Sequence, residues 1–76
     1  MVEKTELQQT IFNAISGLPE HYRQIITLKD INDFSYEEIA RIAGCQVGTV
    51  KSRLARARLL VREQLTKAGV LGPEGN

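Results

Sequence analysis

Five basic side chains between positions 51 and 62 are the residues of this chain with the clearest chemistry, and no acidic residue interrupts them. Cations gathered on one segment can neutralise phosphates, and a phosphate contact fixes a protein on a duplex without reading its sequence. Base edges are read by hydrogen bonds, for which arginine, lysine, serine and threonine are suited. The residue types in this segment therefore indicate a surface that binds nucleic acid.

The net charge of the whole chain, +1, hides this surface. Residues 1–40 hold seven acids and three bases, whereas residues 41–67 hold seven bases and Glu63 as the one acid. Such polarisation predicts one half that faces nucleic acid and another half with a different partner.

Other classes of function are disfavoured by composition. One cysteine and one histidine exclude an internal disulfide and a His/Cys zinc cluster, so we predict no metal, no cofactor and no enzymatic activity. The sequence has neither a signal peptide nor an apolar run of about 20 residues. It therefore predicts a cytoplasmic protein without a membrane partner.

Four helices are predicted to position the basic segment, so we predict an all-α domain that contains a helix-turn-helix and lacks winged elements. A four-residue apolar repeat predicts the first helix over about residues 4–16. Pro19 suits the first position of a second helix that ends near Asp30. The apolar positions of these two helices are Leu7, Ile11, Phe12, Ile15, Tyr22, Ile25, Ile26 and Leu28.

The third helix has the strongest start signal. Ser35 and Glu38 have the spacing of a capping box, and Phe34 and Ile39 that of a hydrophobic staple. The helix is predicted over about residues 36–43, ended by Gly44. Its predicted buried side consists of Ile39, Ala40, Ile42 and Ala43. After a three-residue turn, a fourth helix should run from Val47 to about Lys67, which gives a domain of residues 1–67 and a disordered tail of residues 68–76.

The faces of the fourth helix separate structural from functional residues. At about 100° per residue, one stripe is apolar and must face the core. That stripe is Val47, Val50, Leu54, Ala57, Val61 and Leu65. The outward side carries Gly48, Thr49, Ser52, Ala55 and Arg56, and Lys51, Arg53, Arg58 and Arg62 border the core stripe. A glycine at position 48 predicts that DNA or the preceding helix approaches closely there.

These motifs together resemble region 4 of the bacterial extracytoplasmic-function sigma factors, in the sigma-70 superfamily. The resemblance covers about residues 8 to 65. It is carried by Leu18-Pro19-Glu20 with Arg23, by residues 34–40, and by residues 48–54 with Arg56-Ala57-Arg58. The chain departs from many members at Gln46, where serine is a better helix cap, and at Ala55, where some members have a bulkier residue.

The resemblance implies recognition of the promoter −35 element and docking on the β flap of RNA polymerase, with an anti-sigma factor as a possible competitor. The implied base readers are Thr49, Lys51, Ser52 and Arg56. Arg53 and Arg58 are implied nearer the backbone, and Ser35 and Tyr36 at a phosphate, with Arg23 as a weaker candidate. Such a sigma factor also needs a region that melts the −10 element, so we expect this chain to be an excised domain.

Two alternatives remain open at this point. A LuxR-type response regulator has a DNA-binding domain with the same four-helix plan, although the Arg56-Ala57-Arg58 continuation and the Leu18-Pro19 opening argue against it. A protein-interaction adaptor would keep the helix-turn-helix fold and lose DNA binding.

Overall fold

The computed structural model describes residues 5–70, which fold as four α-helices and one π-helical turn, with no strand among them. The elements are α1 (Glu6–Ser16), α2 (Glu20–Ile26), the π turn (Thr27–Ile31), α3 (Tyr36–Ala43) and α4 (Val47–Lys67). The predicted all-α class is confirmed, and α3, a three-residue turn and α4 form the helix-turn-helix. Most of the predicted tail, residues 71–76, lies outside the described residues.

Reciprocal side-chain caps begin two of the helices. The Ser35 hydroxyl accepts the Glu38 N–H at 3.1 Å, and the Glu38 carboxylate accepts the Ser35 N–H at 2.8 Å, which confirms the predicted capping box. Thr5 and Gln8 form a second box at the start of α1, with distances of 3.1 and 2.9 Å. Gly44 ends α3 in the left-handed conformation, at φ 69° and ψ 38°, as its position predicts.

The second helix differs from its prediction at both ends. Pro19 is the N-cap residue, with φ −52° and ψ 148°, and not the first helical residue. The α-helix ends at Ile26, and the backbone then widens into the π turn, where the Asn32 N–H donates to the Thr27 carbonyl at 3.0 Å. Such turns are rare and occur frequently at functional sites. A hydrophobic pattern does not distinguish them from an α-helix.

The core lies beneath α4, which contacts α1, α2 and α3. Its buried residues are Ala14, Leu18, Ile25, Ile26, Ile39, Val50, Leu54, Ala57 and Val61. Four of the six stripe positions predicted for α4 are therefore buried, and Val47 and Leu65 are half-buried. The core fixes the rotation of α4 about its axis and so determines which of its side chains face outward.

Three apolar positions are more exposed than predicted. Ile42 was assigned to the buried side of α3, but 52% of its surface is exposed. The side of α3 that packs on the core carries Ile39 together with its half-buried neighbours, and Ile42 lies outside that side. Leu7 and Phe12 are 51% and 50% exposed, so α1 covers only part of its apolar stripe. Uncovered apolar surface on α1 and α3 therefore flanks the core.

Candidate nucleic-acid interface

The outward side of α4 carries three of the predicted base-reading residues, and the fourth, Lys51, lies on the flank next to the core stripe. Lys51, Ser52 and Arg56 are exposed, and Thr49 is half-buried. The Ser52 hydroxyl donates to the Thr49 carbonyl at 3.1 Å, so its oxygen remains able to accept a hydrogen bond from outside. The structure thus brings these four residues together on the first three turns of one helix, the part that meets base edges in helix-turn-helix proteins.

Gly48 lies at the start of this face and is exposed. Apart from the neighbouring residues and backbone of α4 itself, a methyl group at this position would meet no described atom within 4 Å. The preceding helix is therefore not the close neighbour that the glycine predicts. A close approach of DNA to Gly48 stays a prediction.

The arginines of α4 differ in their partners. Within the described residues, Arg53 and Arg56 form no side-chain hydrogen bond or ion pair. Arg58, in contrast, donates from Nε to Asp30 Oδ2 at 3.0 Å and from its Nη2 group to Asp30 Oδ1. The two hydrogen bonds to Asp30 raise the Arg58 pKa further above its usual range. The guanidinium of Arg58 is therefore already bound to a carboxylate, whereas those of Arg53 and Arg56 are able to bind a new partner.

Tyr36 connects the start of α3 to α4 through its ring. The Lys51 ammonium lies 5.3 Å from the ring centroid, and the Lys29 ammonium lies 4.9 Å from it. Both distances are within the range of cation–π attraction. Lys29 also donates to the Phe34 carbonyl at 3.3 Å, which fixes it at the end of the π turn. The predicted pair of Ser35 and Tyr36 thus lies beside two ammonium groups.

Lys29 is the one member of this cluster that the sequence reasoning missed. It stands among the acids of residues 1–40 and belongs to no recognised motif. One feature of the sequence could have drawn attention to Lys29, since it is one of only three bases in residues 1–40. Its position next to Tyr36 depends on the π turn and was not predictable from helical periodicity.

Ser35 is engaged in its own helix. Its hydroxyl and N–H bind Glu38, and these bonds lower the pKa of the Glu38 carboxyl. The Glu38 carboxylate therefore lies at the positive, N-terminal end of α3, where the resemblance implies a phosphate contact. A phosphate near Ser35 must therefore be attracted mainly by the two lysines beside Tyr36.

The weaker candidate, Arg23, has a structural partner. Its guanidinium donates to the carbonyls of Ser16 and Leu18 at 3.5 and 3.4 Å, and so it braces the turn between α1 and α2.

Cys45 in the helix-turn-helix turn is half-buried against the core. In residues 5–70, no three His, Cys, Asp or Glu side chains are grouped to hold a metal ion, and no helix has the length and apolarity to cross a membrane.

A helix-turn-helix domain with a basic, outward-facing second helix defines a class of DNA-binding proteins. Residues 8–61 match the model of the family described as Sigma-70, region 4. The chain belongs to this family, which confirms the resemblance seen in its sequence. Family membership sets aside the LuxR-type alternative.

Several curated relatives share this region. The chain is 55% identical over 53 residues to the ECF RNA polymerase sigma-E factors of Escherichia coli K12 and Salmonella typhi, a match that covers 70% of the chain and 28% of each relative. It is 43% identical over 61 residues to the ECF RNA polymerase sigma-E factor of Haemophilus influenzae, over 80% of the chain and 32% of the relative. The chain thus spans about a third or less of these proteins.

Proposed function

We propose that this domain recognises a promoter −35 element as region 4 of an extracytoplasmic-function sigma factor, without enzymatic activity of its own. The observation that supports this function best is the exposed face of α4, where Arg56 and Lys51 stand with Ser52 and Thr49. A helix of this width fits the DNA major groove. The relatives named above are sigma factors, and residues 8–61 of this chain, which match the sigma-70 region 4 family, contain this whole face.

The side chains divide into two roles in this proposal. Thr49, Lys51, Ser52 and Arg56 contact base edges, and an arginine on a guanine contributes about 1–3 kcal/mol of discrimination. Arg53 contacts the phosphate backbone from the flank of α4. The same role falls to the cluster at the start of α3, formed by Ser35, Tyr36 and Lys29, in which the lysine supplies the charge.

The second partner in the proposal is RNA polymerase, through its β flap. An apolar groove of about 360 Å³ lies between α1, the π turn and α4, and its lining includes Ile11, Ile15, Ile26 and Ile31. Ile31 is 60% exposed, which gives a partner direct access to the groove. Ile25, another apolar position of α2, is fully buried and belongs to the core, so it is not part of this groove. An anti-sigma factor that occupied the groove would compete with the flap.

Leu59 is a separate candidate for partner contact. It is 45% exposed on the outward side of α4, whereas its neighbour Leu60 packs against the core. Of these two leucines, only Leu59 is therefore accessible to a partner. If Leu59→Asp left anti-sigma binding and folding unchanged, this role would be wrong.

A salt series on a duplex that carries the preferred −35 sequence tests DNA binding. The preferred sequence is first obtained by selection from random duplexes. The logarithm of affinity should fall with the logarithm of salt concentration at a slope of about −0.9 per phosphate neutralised. An intact helical domain without measurable binding would contradict the proposal and favour the protein-interaction adaptor.

Arg56→Ala tests base reading and has a matched control on the same helix. It should weaken binding to the preferred duplex by about 1–3 kcal/mol and binding to random duplexes much less. Arg62→Ala removes the same charge six residues further along and should reduce both affinities equally and slightly. An unchanged ratio of specific to random affinity in Arg56→Ala would show that Arg56 does not read bases.

A further inference from the structure

The ion pair of Arg58 with Asp30 has a geometry that bears on phosphate binding. Arg58 uses two N–H groups on the two carboxylate oxygens of Asp30, which is the bidentate arrangement that arginine also makes with a phosphate. A guanidinium held in this way has two of its five donors occupied and its charge balanced.

Arg58 lies where a DNA-binding cation would be expected. It follows Lys51 by seven residues, so the two side chains leave α4 on nearly the same flank, about 10.5 Å apart along the axis. The Arg58 side chain is 52% exposed, so solvent and solutes reach it. Among the arginines at positions 53, 56 and 58, it alone is paired within the described residues.

We propose that Asp30 is a positioning residue that withholds Arg58 from the phosphate backbone and thereby limits the sequence-independent affinity of the domain for DNA. This inference rests on the proposed function. The pair is neutral as a unit and adds no net charge to the basic surface. A phosphate that approached Arg58 would also approach the Asp30 carboxylate, which repels it.

This arrangement affects specificity through competition. A phosphate contact raises affinity for every sequence equally, and a genome offers a large excess of random sites. One cation fewer on the backbone lowers the occupancy of those sites. Base contacts from Arg56 and its neighbours are unaffected, because they do not involve Arg58.

A role in folding stability alone is the alternative to this proposal, because a bidentate arginine–carboxylate pair can stabilise a fold even when it is exposed. A purely structural pair would leave the salt dependence of DNA binding unchanged when it was removed. The salt slope is therefore the measurement that distinguishes the two roles.

The experiment is a double-mutant cycle of Asp30→Asn and Arg58→Ala, with affinities for preferred and random duplexes measured between 50 and 200 mM salt. Asp30→Asn should raise both affinities by the same factor and steepen the slope by about 0.9, so the gain shrinks about 3.5-fold across this range. Arg58→Ala should change either affinity less than about twofold. In the Arg58→Ala background, Asp30→Asn should not steepen the slope, and any gain left there measures the general effect of removing an acid.

Asp30→Glu keeps the carboxylate and should bind DNA as the unaltered chain does, which controls for folding together with thermal unfolding of every variant. Equal gains from Asp30→Asn in both backgrounds would overturn the inference. A large loss of affinity in Arg58→Ala alone would also overturn it, because Arg58 would then already contact DNA. If the unaltered chain bound no duplex, the proposed function itself would fail, which is a distinguishable result.

Discussion

Gly48→Ala is expected to change folding stability and DNA binding in opposite directions. Alanine forms helices better than glycine, and a methyl group at position 48 meets no described atom within 4 Å apart from the neighbouring residues and backbone of α4 itself. The substitution should therefore stabilise the free domain by about 0.5–1 kcal/mol. For a domain of this size, each kcal/mol raises Tm by about 4–8 °C. Thermal unfolding of the free domain measures this gain.

Binding should weaken if DNA approaches Gly48 closely. A methyl group at the start of the outward face of α4 would separate the helix from the duplex and lengthen its hydrogen bonds. A loss of about 1.4 kcal/mol, which is tenfold in Kd, is the expected order for the preferred duplex. The assay is a titration of a labelled duplex with the unaltered chain and the variant at one salt concentration.

Gly17→Ala is the matched control, because it adds the same methyl group at the end of α1, where the nearest contact is an ordinary 3.5 Å to the Asn13 carbonyl. Its DNA affinity should be unchanged. A Gly48→Ala domain that was more stable and bound the preferred duplex equally well would refute the close approach. A less stable domain would refute the reasoning about helix propensity.

Three further predictions concern separate parts of the domain. The folded pKa of Glu38 lies below its ordinary value of 4.5, so its contribution to stability is present above that pH and is lost as the pH falls through the folded pKa. Urea unfolding from about pH 6 to pH 3 should show a shallower acid limb for Glu38→Gln. Tyr36→Phe should retain most DNA affinity and Tyr36→Leu should lose it, because the ring attracts Lys51; equal losses would assign the effect to the hydroxyl or to packing. Ile31→Asp should abolish binding to the polymerase β flap while −35 affinity falls less than twofold, and unimpaired flap binding would place the docking surface elsewhere.

Features that depend on residues close in sequence could be predicted. The capping box at Ser35, the left-handed Gly44 and the buried residues of α4 all follow from local spacing, and the structure contains them. The box at Thr5 had the same spacing signal, with Gln8 three residues later, and could have been read from it. The division of α4 into a core side and an outward side followed from periodicity alone.

Features that depend on distant contacts could not be predicted. Arg58 and Asp30 are 28 residues apart, and nothing in their local sequence indicates that they pair. The exposure of Ile42 depends on how far α3 rotates toward α4, which packing decides. The widening at Thr27–Ile31 likewise has no signal in the helical pattern of the sequence. The pairing of Arg58 therefore needed the fold, whereas the outward position of Arg56 could be predicted from the helical pattern.

The π turn also makes the number of residues between α2 and α3 important. Its consecutive residues Lys29 and Asp30 carry opposite charges and contact different helices, the first at Tyr36 and the second at Arg58. Removal of one residue here would rotate one of these side chains by about 100° relative to its partner. Deletions in this segment should therefore be tolerated much less well than substitutions, because a changed side chain affects one contact and a changed length affects both.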